Sequence, residues 1–175
     1  MSKLRFLATF LLFFAILLAL WNRTPAAEWY TGALLYAAAA LGPALHGWIL
    51  EPGAAGGFPV WVRDPARVDL KIHFDALAVG LVPLLALVAA TPGLAPLRHL
   101  RTAALAAVLF FAVDVAIIVL FPLLVHYNNA ATDIGGTFLG MIGFVGAPAI
   151  IWFVLTFPQI RPWLPSLRRP AALRN

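Results

Sequence analysis

From Ala103 to Tyr127 the chain carries a single charged side chain, Asp114, in an otherwise apolar run. A helix that spans a bilayer needs roughly 20 mostly apolar residues. Three further runs meet that requirement. Leu4 to Trp21 has Lys3 and Arg5 at its start, Phe74 to Thr91 is apolar apart from Asp75, and Gly135 to Phe157 is closed by Pro158. Across the chain 63% of residues are apolar and 11% charged. Soluble domains run at about 45–50% and about 25%, and a surface in water needs more polar side chain than this chain has. These proportions exclude a soluble globular enzyme and a disordered tail. The chain has no cysteine, so disulfides, thiolate metal sites and a Cys nucleophile are excluded as well.

Charge placement sets the expected topology. Lys3 and Arg5, then Arg98 and Arg101, then Arg161, Arg168, Arg169 and Arg174 lie in three segments that hold no acid. Cytoplasmic segments collect Lys and Arg, and four spans (4–21, 74–91, 103–127 and 135–157) put all three segments on that side. Both termini are then cytoplasmic, with residues 158–175 as a basic tail at anionic headgroups. The +5 net charge is thus a topology signal and not a mark of nucleic-acid binding. The first run also has the outline of a signal peptide, but it is long and no small-x-small cleavage site follows it. Residues 30–50 are ambiguous. They are apolar and Ala-rich, broken by Gly42-Pro43 and His46-Gly47, and flanked by Trp29, Tyr30 and Trp48. A fifth crossing there would strand Lys3 and Arg5 outside, so an interfacial helix anchored by its aromatics is expected, with a crossing as the alternative.

Residues 22–73 then form the outer segment. Val68, Leu70, Ile72 and Phe74 alternate with Arg67, Asp69, Lys71 and His73, the period of a half-buried strand. With Asp64-Pro65 as the turn, residues 60–73 are expected to form a hairpin that caps the helices or serves as a docking surface. The expected fold is an all-α membrane protein: one transmembrane domain over 1–157, a four-helix bundle with an interfacial helix and a small β-hairpin.

Ionisable groups inside a membrane are functional candidates by default. Asp114 lies near the middle of the third span, where it could relay a proton, hold a cation, pair with a partner's basic group or serve only the packing. His73 and Asp75 at the outer mouth of the second span, and His126 at the end of the third, could meet on the outer face, although their spacing matches no metal motif. His46 and His99 read as interfacial residues without a role. Gly136 with Gly140, and Gly143 with Ala147, form small-xxx-small pairs suited to close helix packing. No phosphate loop, dinucleotide fingerprint or hydrolase motif is present, and no metal or cofactor is called for.

The order of features resembles the exosortase and archaeosortase family of membrane transpeptidase-like proteins. The stretches that carry the likeness begin at Phe74-Asp-Ala-Leu, Ala112-Val-Asp-Val and Gly135-Gly-Thr-Phe, within residues 58–157. In that family the corresponding places hold a catalytic Cys, an Asn-x-x-Arg pattern and a His. Here Asp75–Leu77 contains no Cys, Asp114 and Ile117 stand where the Asn and Arg would be, and Gly135–Thr137 supplies no His. No catalytic residue carries over. The small size and degenerate site look more like the small exosortase-associated membrane proteins. That likeness implies a non-catalytic accessory protein of the bacterial inner membrane, with lipids and an exosortase-like enzyme, or a second copy, as partners. Two other functions stay open from the residues: a small transporter or ion-conducting subunit with Asp114 as its titrating group, and a membrane enzyme using His73, Asp75 and His126.

Overall fold

The structure, a computed structural model, describes residues 3–51, 59–69, 79–127 and 146–161. The chain is mostly helical with one small sheet: α1 (Lys3–Arg23), α2 (Ala26–His46), β1 (Ile49–Glu51), β2 (Val60–Arg63), β3 (Ala66–Asp69), α3 (Leu81–Ala90), α4 (Pro96–Tyr127) and α5 (Ala147–Ile160). Among the described residues two helices are long and apolar enough to cross a membrane, within Leu4–Arg23 and Pro96–Leu123. The four-span expectation is therefore met by two. α3 and α5, with 10 and 14 residues, rise about 15 and 21 Å at 1.5 Å per residue, short of the roughly 30 Å hydrocarbon core. The starts of the expected spans 74–91 and 135–157 lie outside the described residues.

Several boundaries also shift. α4 begins at Pro96, seven residues before the expected apolar run, because Pro suits a first helical position and Arg, His and Leu all continue a helix. α5 passes through Pro158 and ends at Ile160. α2 covers 26–46, not 30–50. It runs through Gly42-Pro43 and stops at Gly47, which takes the left-handed conformation (φ 73°) and donates its N–H to the Pro43 carbonyl at 3.2 Å. This is the role for which a glycine suits a helix end. Beyond it the chain turns into β1, where helix was expected.

The expected hairpin is present over its described part. β2 and β3 pair antiparallel around Asp64-Pro65, whose peptide bond is cis, and β1 adds a third strand in the order β1-β2-β3. Leu50, Trp61 and Val68 stand opposite one another across the three strands and form the inner row. Trp61 and Val68 are buried, while Arg67 and Asp69 are exposed, as the alternation requires.

Two apolar cores follow. One joins the sheet to α2 and the second half of α4: Leu34, Ala38, Trp48, Trp61, Val68, Val115, Ile118 and Phe121. The other joins α3, the first half of α4 and α5: Leu84, Val88, Ala106, Phe110, Ala147 and Ile151. α1 packs along α3 and leaves Leu4, Leu7, Leu11, Leu12, Ile16 and Leu20 exposed. Trp48 is 1% exposed. It is a core residue beneath the sheet, not the interfacial anchor expected of it, because the turn at Gly47 folds it inward. Trp29, at 73% exposed, keeps the outward position.

Candidate functional site

α2 approaches α4 along one stripe. Tyr30, Leu34, Ala38, Gly42 and His46 recur every fourth residue and lie on one face. Leu34, Ala38 and Gly42 are buried, with Tyr30 and His46 half-buried at the two ends. The stripe narrows to Gly42 because Trp61 fills the space beside it. A Cβ at position 42 would fall within the Trp61 ring and against the Trp48 carbonyl.

At one end of the stripe Tyr30 meets Asp114, which is 0% exposed. The Tyr30 hydroxyl donates to Asp114 Oδ2 at 2.8 Å. Asp114 Oδ1 is buried without a hydrogen-bond partner among the described residues. The Tyr30 ring is held edge-on by Trp21 (5.9 Å between centroids) and Phe111 (5.8 Å). Tyr30 and Val113 border both apolar cores, so the acid–phenol pair sits where the two cores join. Among the described residues Tyr30 is the hydrogen-bond partner of this carboxylate.

At the other end His46 bridges three elements. Its Nδ1 accepts the Trp48 N–H at 3.1 Å, and its Nε2 lies 2.9 Å from the Val119 carbonyl of α4. With Nδ1 accepting, Nε2 carries the hydrogen and donates it. Val119 lies in the turn of α4 that precedes Pro122. Pro122 withholds its N–H from the Ile118 carbonyl, one residue before Val119, so His46 adds a donor from a neighbouring helix beside the point where the ladder is interrupted. The His46 ring also meets Trp61 edge-on at 5.4 Å, and Arg63 Nη1 donates to the His46 carbonyl at 3.4 Å. His46 thus ties the sheet to α4.

A third cluster closes the opposite end of the molecule. Thr91, 1% exposed, caps α3. Its hydroxyl donates to the Leu87 carbonyl at 2.8 Å and accepts from Trp152 Nε1 at 2.9 Å. His99 Nε2 lies 3.0 Å from the Thr91 carbonyl. One threonine therefore holds the ends of α3 and α4 and the middle of α5 together.

Of the expected site residues, Asp114 is placed as described, and Ala147 is buried in the second core, where it packs within the chain. His73, Asp75, Gly136, Gly140 and Gly143 lie outside the described residues. His126 falls in the last turn of α4, and its side chain lies outside them too. No group of three or more His, Asp or Glu able to hold a metal ion occurs among the described residues. From sequence Thr91 had no assigned role, His46 and His99 read as interfacial residues without one, and Tyr30 was expected as an aromatic anchor at the headgroups. The every-fourth-residue spacing from Tyr30 to His46 was the signal that could have singled out the first two. Set against known proteins, the chain matches no family model, no curated protein and no solved structure.

Proposed function

We propose that the chain is a non-catalytic accessory protein of the bacterial inner membrane, a companion of an exosortase-type enzyme that sorts surface proteins. The observation that carries this reading is where the buried polar groups are spent. Tyr30 with Asp114, His46 with Val119, and Thr91 with Trp152 all tie one element of the chain to another. The His46 bond holds in place a small sheet whose outer side carries Glu51, Arg67 and Asp69, all exposed. A rigid cap of this kind suits a protein that acts by presenting a surface. The order of features that resembles the exosortase family supplies the partner. The chain then crosses four times, over 4–21, 74–91, 103–127 and 135–157, with both termini cytoplasmic. The test is affinity purification of the tagged chain from native membranes after mild cross-linking. Recovery of an exosortase-like enzyme is expected, and its absence from the cross-linked complexes would reject the assignment.

Asp114 Oδ1, without a partner among the described residues, favours a second reading, a small transporter or ion-conducting subunit in which Asp114 is the titrating group, since buried polar atoms are ordinarily satisfied. Proton-coupled flux in proteoliposomes that disappears in Asp114→Asn would support it over the first.

A further inference from the structure

We propose that the first turns of α4 bind an anionic phospholipid, its headgroup held by Arg98 and Arg101 and one acyl chain lying along the α4 stripe below them. This rests on the reading of the chain as embedded in a membrane. Arg98 and Arg101 are exposed, and neither forms an ion pair among the described residues. The chain supplies no acid in this region: its nearest carboxylates in sequence to these arginines are Asp75 and Asp114, and Asp114 is already enclosed beside Tyr30. Large apolar side chains alternate with the two arginines, for Leu97 is 61% and Leu100 68% exposed.

The stripe continues along the helix. Ala104, Leu105, Val108 and Ala112 are all exposed and lie on the same side of α4 as Leu97 and Arg101, at three- and four-residue steps. From Arg101 to Ala112 the helix rises about 17 Å, close to one leaflet's half of the roughly 30 Å hydrocarbon core. A positive head with a leaflet's length of apolar surface beneath it complements a lipid that has an anionic head and acyl chains. Free phosphate would match the head and leave the stripe uncovered.

The same end of the molecule is rigid. Thr91 bonds His99 and Trp152, and the Trp152 ring packs on Phe6 of α1 at 6.0 Å between centroids. The helix turn that carries both arginines is therefore fixed before any lipid arrives.

The test compares the chain with Arg98→Gln/Arg101→Gln in nanodiscs of phosphatidylglycerol mixed with phosphatidylcholine. The readout is the lipid retained through detergent purification, measured by mass spectrometry. A basic residue near the surface contributes about 1 kcal/mol towards anionic lipid, about fivefold each, so the double variant should lose roughly 25-fold of the preference for phosphatidylglycerol. Equal retention by the two proteins would overturn the proposal. So would displacement of the lipid by inorganic phosphate, which would mark a headgroup-only ion site. A photo-crosslinking residue at position 108 gives a second measurement that does not depend on the arginine variants folding. Lipid adducts are expected, and protein adducts in their place would assign the stripe to a partner. Extraction of the unmodified chain from membranes by alkaline carbonate would instead reject membrane embedding itself, and the lipid site with it.

Discussion

Tyr30 and Asp114 show how much depends on one oxygen. Tyr30→Phe removes the one hydrogen bond that Asp114, 0% exposed, makes among the described residues. A buried polar group stripped of its partner costs about 1–3 kcal/mol. Replacing both members by apolar residues of similar shape removes that penalty, so Tyr30→Phe/Asp114→Leu should unfold at a higher temperature than Tyr30→Phe alone in detergent. A double variant no more stable than the single one would mean that Asp114 has other partners. Gly42 gives the opposite kind of test. Gly42→Ala places a methyl group within the Trp61 ring, and overpacking of a filled site typically costs about 1–3 kcal/mol. A lowered midpoint accompanied by a changed Trp fluorescence spectrum is the expected outcome. Asp114 was plain in the sequence because it is the lone charge in an apolar run. Tyr30 was not, because one phenol beside a tryptophan also fits a headgroup anchor, and only the crossing of α2 over α4 separates the two roles.

The elements differ in how far sequence could define them. β2 and β3 could be read because alternation and the Asp64-Pro65 turn both act within a few residues. β1 could not. Ile49–Glu51 carries no alternation long enough to register, and it is a strand only because β2 lies beside it. α2 was misjudged at its end for a related reason: Gly42-Pro43 reads as a break, yet the close approach of Trp61 needs the glycine. The His46 bridge belongs to this scale, since it joins the sheet to α4 through one side chain. His46→Ala should loosen the sheet without unfolding the helices. Trypsin cleavage after Arg63 and Arg67 is expected to accelerate several-fold while helical circular dichroism stays unchanged. Cleavage at the rate of the unaltered chain would show that the inner row of Leu50, Trp61 and Val68 suffices to hold the sheet.

At the scale of the whole molecule the absence of cysteine becomes an experimental convenience. A single cysteine can be introduced anywhere and labelled without background. With Arg98 on the cytoplasmic side and Arg67 outside, Arg98→Cys should resist a membrane-impermeant maleimide in intact cells, and Arg67→Cys should react. Labelling of both from outside would reject the proposed topology. That the chain would form helices long and apolar enough to cross a membrane was legible from composition, and two such helices occur among the described residues. The number of crossings was less so: short apolar helices such as α3 and α5 are equally suited to packing inside a bundle, and helix length is settled by tertiary contacts.

The two cores meet at Tyr30 and Val113, and this has a consequence for cooperativity. A molecule with a single core melts in one step, whereas two cores joined across a narrow waist melt together only while the waist holds. Here the waist is a phenol, a valine and a carboxyl. Weakening them should turn one unfolding transition into two, with the sheet and α2 released first and the bundle of α3, α4 and α5 after it.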